Sequence, residues 1–274
     1  MHNKKAQLAV FVLIGIVICV AFGIFYFASQ NIKSSKEIPS EAIMSQSIES
    51  YVKSCFDFTS KNAVFLIGRY GGYLYPDINV NEISTDFGKA TYLYDENNPN
   101  GKKWLLSIEE MQQEISYYVQ GEIRNCVDFE IFRKQGYEIE EGIPEVTSVI
   151  RDSSVLLKMD YPITAIRGST SISLNSFQNV VDIQLGRIVK TAENIIESVE
   201  YSENEADIAL IAETGGSLQN NPLFSYNFLF RIVTKMETEW AFLNDRISTL
   251  WVIYDRKANP EYMFIFATRH KKII

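Results

Sequence analysis

The sequence predicts an α+β domain carried on one N-terminal transmembrane helix. Three observations predict it: an unbroken apolar run near the N-terminus, two long segments with apolar residues at helical spacing, and a β-rich C-terminal half broken by proline, glycine and aspartate turns. With 274 residues, 46% of them hydrophobic and 13% aromatic, the chain has ample material for a packed core and lacks the signature of disorder.

The apolar run is Leu8 to Ala28, LAVFVLIGIVICVAFGIFYFA, 21 residues without a polar stripe. At about 1.5 Å rise per residue it makes a helix of about 31 Å, the thickness of a bilayer core of about 30 Å. The lipid bilayer is thus the first expected partner, through residues 8–28. Tyr26 suits an interfacial aromatic belt, and Cys19 falls mid-membrane as a small apolar group. Lys4, Lys5 and the α-amino group favour a cytoplasmic position for residues 1–7. Lys33 and Lys36 oppose that bias and are partly offset by Glu37 and Glu41. The expected topology is single-pass, with the C-terminal domain outside the cytoplasm. A removable secretory signal is the rival reading, but its apolar region is shorter and ends at a small-x-small site.

Residues 29–39 read as a polar linker, and 40–274 as the extracytoplasmic domain, helical over 40–136 and β-rich over 137–274. Ser40 with Glu41 marks a helix start. Apolar positions then recur through Ile48, Val52, Cys55, Thr59, Ala63 and Leu66 until Gly71-Gly72. Residues 73–106 read as short strands and a surface excursion. Ser107 and Glu110 form a capping box ahead of a second long helix, with Met111, Ile115, Tyr118, Glu122, Cys126 and Phe129 along one line and Gly136 at its end. Strands are predicted at 145–150, 155–161 and 167–174, a helix over 177–200, and a short helix at 203–211. The last strands are predicted at 226–235, 249–254 and 262–268, the final two forming an antiparallel hairpin. The predicted architecture is therefore two long helices and a further helix packed on an antiparallel sheet.

The net charge of −8 conceals an asymmetry. Residues 1–39 carry four lysines against Glu37, which leaves −11 on the remainder. A body this acidic repels phosphate backbones, which argues against nucleic acid as a partner.

The two long helices carry matching hexapeptides, Lys53-Ser54-Cys55-Phe56-Asp57-Phe58 and Arg124-Asn125-Cys126-Val127-Asp128-Phe129. Cys55 and Cys126 are the only cysteines outside the apolar run, and an oxidising exterior favours a disulfide between them. Free buried thiols are the alternative, a metal or redox site having too few ligands with one cysteine per helix and no nearby histidine. Asp57 and Asp128 could form a carboxylate pair, or each could be solvated or matched to a neighbouring cation.

Catalytic motifs are missing from the sequence. Histidine occurs only at His2 and His270, which removes Ser-His-Asp and Cys-His chemistry and His-rich metal centres. No Gly-x-Gly-x-x-Gly or Walker pattern occurs. Asp77–Asn81 opens like a calcium loop but has Glu82 and Gly88 where glycine and glutamate are needed. Ser169-Thr170-Ser171 with Lys158 suggests a Ser-Lys pair, or an exposed strand face. Asp95–Gly101 reads as a loop tip. No metal or cofactor is expected. Tyr70, Tyr73, Tyr75, Tyr92 and Tyr94 cluster between the long helices, either as a contact surface for proteins or glycans or as cover for the core.

Lys5-Ala6-Gln7-Leu8, directly followed by the apolar run, resembles the class III signal of archaeal type IV pilin-like proteins. The resemblance covers residues 4–28. It implies cleavage after Ala6, Gln7 as the new N-terminus, and an apolar helix serving as anchor or filament core. Phe11 stands where bacterial pilins commonly have glutamate, and the polar stretch Asn31–Ser40 interrupts a helix that pilins usually continue. An ordinary uncleaved signal-anchor is the other reading. The acidic domain behind one span is otherwise similar to archaeal membrane-anchored proteins, a likeness that implies no activity.

Two functions follow as expectations. The first is a noncatalytic surface module for adhesion, assembly or partner binding, with other envelope proteins or glycans as partners. The alternative is an envelope glycan hydrolase using carboxylates alone, with carboxyl groups about 5–5.5 Å or 6.5–9.5 Å apart.

Overall fold

The computed structural model describes residues 40–75, 81–85, 88–96, 103–200, 235–237, 246–255 and 257–271. The chain divides into two compact units, Met1–Met44 and Ser45–Ile274. The expected span 8–28, the linker 29–39, the signal residues Lys5, Ala6 and Gln7, the short helix at 203–211 and most of the strand at 226–235 lie outside the described residues. Among the described residues no helix is long and apolar enough to cross a membrane.

Helix α1 (Ser40–Arg69) begins at the serine expected to start it and buries a stripe from Ile48 and Val52 through Cys55, Thr59 and Ala63 to Ile67. Gly71 and Gly72 end it at φ 65° and 103°, conformations that glycine takes without strain. The Gly72 amide donates to the Ile67 carbonyl at 2.7 Å, closing the last turn.

Strands β1 (Glu82–Thr85) and β2 (Gly88–Asp95) follow. Helix α2 (Ile108–Cys126) opens with the expected capping box: the Glu110 amide donates to the Ser107 hydroxyl at 3.2 Å and the Ser107 amide to the Glu110 carboxylate at 2.8 Å. It stops at Cys126 rather than near Gly136, because Val127 is extended. A single turn, α3 (Glu130–Arg133), follows, and Gly136 at φ 87° leads into β3 (Glu138–Glu141).

Strand β4 (Glu145–Ile150) matches its prediction, while β5 (Val155–Arg167) and β6 (Thr170–Val181) run longer than expected. Residues 177–181 thus belong to a strand, not to the helix predicted over 177–200. Phe177 and Val181 are buried opposite Met159 and Val155, and two apolar residues four apart satisfy either period. Helix α4 (Leu185–Glu200) begins after them. The chain ends in β7 (Lys235–Glu237), β8 (Arg246–Asp255) and β9 (Tyr262–Lys271).

The single antiparallel sheet of the sequence reading is in fact two sheets. The first has the order β1-β2-β9-β8-β7, and β2 runs parallel to β9. It joins residues 82–95 to the C-terminal strands across the expected boundary at 136. The hairpin β8–β9 is antiparallel as predicted, with Trp251 opposite Phe266. In the second sheet β3 and β4 lie along one side of β5, and β6 along the other.

The inner strands of the first sheet are buried on both faces, which explains the continuous apolar runs Leu250–Ile253 and Phe264–Ala267. One face gathers Ala90, Leu250, Val252 and Ile265. The other carries Trp251 stacked on Phe266 at 6.3 Å and receives α1, where Phe65 meets Tyr262 edge-on at 5.4 Å. Asp255 fixes the β8–β9 turn to the start of α4. Its buried carboxylate accepts the Lys257 amide at 3.0 Å and the Gln184 amide at 3.1 Å. The second sheet is one-sided: β4 alternates Val146, Ser148 and Ile150 inward with Glu145, Thr147 and Val149 outward. Helix α2 covers β4, and its Gln112 side chain accepts the Ile150 amide at 2.8 Å.

Candidate functional site

Helices α1 and α2 run antiparallel and are clamped at both ends. At one end Cys55 and Cys126 form a disulfide with Cα atoms 5.7 Å apart, inside the range of about 4.4–6.8 Å that such bonds require. This settles the two alternatives for the cysteines in favour of the bond. One turn earlier on α1, the Tyr51 hydroxyl donates to the Cys126 carbonyl at 3.2 Å and accepts the Asp128 amide at 2.9 Å. A single phenol thus satisfies two backbone groups where α2 ends.

At the other end the chain leaves α1 through Gly71-Gly72 and is drawn onto α2. The Glu114 carboxylate accepts the amides of Leu74 at 3.0 Å and Tyr75 at 3.1 Å. A Cβ on Gly72 would come within 2.7 Å of the Met111 methyl, the end of a flexible side chain, and the φ of 103° is what favours glycine there. Tyr73 turns inward and donates its hydroxyl to the Trp104 carbonyl. Burial, followed by the charges of Glu110 and Glu114, pushes the Tyr73 phenol up to about 12. The folded state therefore holds this proton more tightly than the unfolded chain. The resulting stability is complete below the ordinary value of 10.0 and is lost as pH rises through about 12. Urea unfolding at pH 9 and at pH 11.5 should show a loss of stability that is smaller in Tyr73→Phe.

The clamp leaves Tyr75 half exposed, at 50%, beside two consecutive tyrosines of α2. Its ring meets Tyr117 edge-on, with centroids 5.8 Å apart and planes at 80°, and Tyr118 at 6.2 Å and 40°. These are favoured aromatic separations of about 4.5–7 Å, so Tyr75 packs against both rings of α2. Tyr117 is 71% exposed and forms the outermost part of this platform. Two carboxylates set its potential. Partial burial, and next the charge of Glu122, hold the phenols of Tyr75 and Tyr118 above their ordinary value, with Glu114 adding to the effect at Tyr75. No lysine or arginine among the described residues forms an ion pair with Glu114 or Glu122.

Of the two readings of the sequence's tyrosine cluster, core cover holds for most of its members and surface for one. Of Tyr70, Tyr73, Tyr75, Tyr92 and Tyr94, only Tyr75 is exposed. Tyr70 is half-buried, and Tyr73, Tyr92 and Tyr94 are interior. The reason is that β2 is an inner strand rather than part of a surface excursion. Tyr92 lies beneath the Arg269 guanidinium at 4.1 Å and its hydroxyl bonds to Ser248 at 2.8 Å. The sequence pattern places Tyr118 on the line of Met111 and Ile115 and does not single out Tyr117. The buried line is Met111, Ile115, Val119 and Ile123, a strict i+4 row that turns Tyr117 outward.

The other sequence candidates do not form a centre. Lys158 pairs across the sheet with Gln178 and ion-pairs with Asp160 at 3.0 Å, while Ser171 lies opposite Ile166. Asp128 accepts the Glu130 amide at 2.9 Å, a local turn bond. Asp95 is the buried end of β2 and pairs with Arg269 at 3.3 Å, and Asn97 to Gly101 of the expected loop tip lie outside the described residues. Asp77 to Val80 of the calcium-like stretch lie outside the described residues. Among the described residues no group of three or more His, Cys, Asp or Glu side chains gathers as a metal site.

Compared with protein-family models, curated proteins and solved structures, the chain has no match.

Proposed function

We propose that this chain is a noncatalytic, membrane-anchored surface module whose contact surface is the platform of Tyr75, Tyr117 and Tyr118. The anchor is residues 8–28, with residues 1–7 in the cytoplasm and the domain outside. The partners are other envelope proteins or glycans. One observation carries this reading: Tyr75 packs edge-on against Tyr117 and tilted against Tyr118, yet the group remains at the surface, with Tyr75 and Tyr117 at least half exposed. Tyrosine gives a large, stiff contact area with a polar tip, the profile of residues that dominate recognition energetics. The disulfide supports an oxidising exterior.

Its test is cross-linking in native membranes with the full chain and its Tyr75→Ser/Tyr117→Ser variant. Both side chains are outside the core, so the variant should melt within about 2 °C of the parent. Discrete cross-linked complexes of the parent should be lost in the variant. Complexes that persist unchanged would move the contact surface elsewhere. The pilin-like character of the anchor has a separate test, the intact mass of the native chain: a start at Gln7 supports processing after Ala6, and a start at Met1 leaves a plain signal-anchor.

A further inference from the structure

We propose that the platform binds arginine side chains of a basic segment in a partner protein. The inference rests on the reading of this platform as the contact surface, and adds the chemistry of what it contacts.

Charge supplies the first argument. Three aromatic faces stand beside Glu114 and Glu122 in a domain of charge −11, and no cation among the described residues answers those carboxylates. Aromatic quadrupoles and carboxylates attract the same thing, a cation over the ring face.

The domain itself supplies the second. Among the described residues it sets a guanidinium over tyrosine twice: Arg269 over Tyr92 at 4.1 Å, and Arg167 over Tyr137 at 4.9 Å. In the second case the guanidinium also donates to the Tyr137 hydroxyl at 3.1 Å. In the first it also pairs with the Asp95 carboxylate at 3.3 Å, so ring and carboxylate share one cation. The platform repeats the ring-and-carboxylate pattern with three rings and two carboxylates.

Arginine is favoured over lysine because its planar, weakly hydrated guanidinium stacks on rings and still forks to a carboxylate. A neutral sugar fits less well. Its hydroxyls can hydrogen-bond to a carboxylate but leave the charges of Glu114 and Glu122 uncompensated.

The test uses the full chain in nanodiscs of zwitterionic lipid, with ring-labelled tyrosine observed by NMR. The probes are hexa-arginine, hexa-lysine, hexa-glutamine and chitohexaose. Hexa-arginine should shift the rings of Tyr75, Tyr117 and Tyr118 and bind about threefold tighter than hexa-lysine, while hexa-glutamine should leave them unmoved. Glu114→Gln/Glu122→Gln should weaken hexa-arginine about fivefold. The side-chain oxygen kept at position 114 can still accept the two backbone amides, so the clamp survives the loss of charge. Glu138→Gln/Glu140→Gln removes equal charge from the second sheet and should change the affinity less than twofold.

Equal weakening by both charge variants would mean general attraction to an acidic protein and would overturn the proposal. Ring shifts with chitohexaose or hexa-glutamine but not with hexa-arginine would overturn it too, while leaving the contact surface standing. Rings unmoved by every probe would also overturn it. The contact surface itself fails only if the cross-linked complexes survive Tyr75→Ser/Tyr117→Ser.

Discussion

Replacing Cys55 and Cys126 together by alanine is expected to lower the unfolding free energy by about 4 kcal/mol. The bond closes a loop with a sequence separation of 71 residues. On the chain-entropy view, opening a loop of that length restores about 4 kcal/mol of freedom to the unfolded chain. The loss should be concentrated in the unfolded state, because the native helix pair keeps other ties at the same end. Tyr51 still bonds the Cys126 carbonyl and the Asp128 amide, and its ring still meets Phe132 edge-on at 5.5 Å. At the far end Glu114 still clamps Leu74 and Tyr75. The double variant should therefore fold to the same structure, with an unchanged tyrosine platform and a lower urea midpoint. A loss below about 1 kcal/mol would mean that packing alone confines the two helices.

Gly68→Ala is expected to cost about 3 kcal/mol, the upper end for overpacking a core. A Cβ at this position would sit 2.3 Å from the Tyr262 hydroxyl, 2.5 Å from its Cζ and 2.6 Å from the Met263 carbonyl. Tyr262 is fully buried beside α1, and Met263 is a backbone position fixed by its pairing with Tyr254 in the β8–β9 hairpin. Two companions separate this clash from the other effects. Tyr262→Phe should be neutral or slightly stabilising, because the buried hydroxyl has no hydrogen-bond partner among the described residues. Gly68→Ala/Tyr262→Phe should remain destabilised, because the Cζ and the carbonyl are still in the way. Thermal melts of the three variants decide it, and full rescue by the double variant would show the hydroxyl to be the sole obstacle.

Much of the helical half was legible in the sequence because its signals are local. The capping box at Ser107, the glycine pair after Arg69 and the i+3/i+4 rows each depend on a few neighbouring residues. The disulfide was legible by elimination, since two cysteines in matching hexapeptides left few partners. What failed was non-local. The parallel pairing of β2 with β9 joins residues more than 170 apart, and nothing in Gly88–Asp95 announces a parallel neighbour. Its Tyr-rich sequence looked like surface when it was in fact an inner strand. The same difficulty hid the platform. Tyr117 and Tyr118 are adjacent on an amphipathic helix, about 100° apart around its axis, and which one turns out depends on the row that the core selects. That they meet Tyr75 depends on a clamp across 39–40 residues of chain.

Hydroxyl-radical footprinting of the chain in its native membranes, compared with the purified full chain, tests the contact surface most directly. Phe58, 61% exposed on α1 and no part of the platform, serves as internal reference. Tyr117 and Tyr75 should be protected several-fold in the membranes and fully reactive after purification, with Phe58 alike in both. Equal reactivity of Tyr117 in both settings would contradict a platform occupied by a partner.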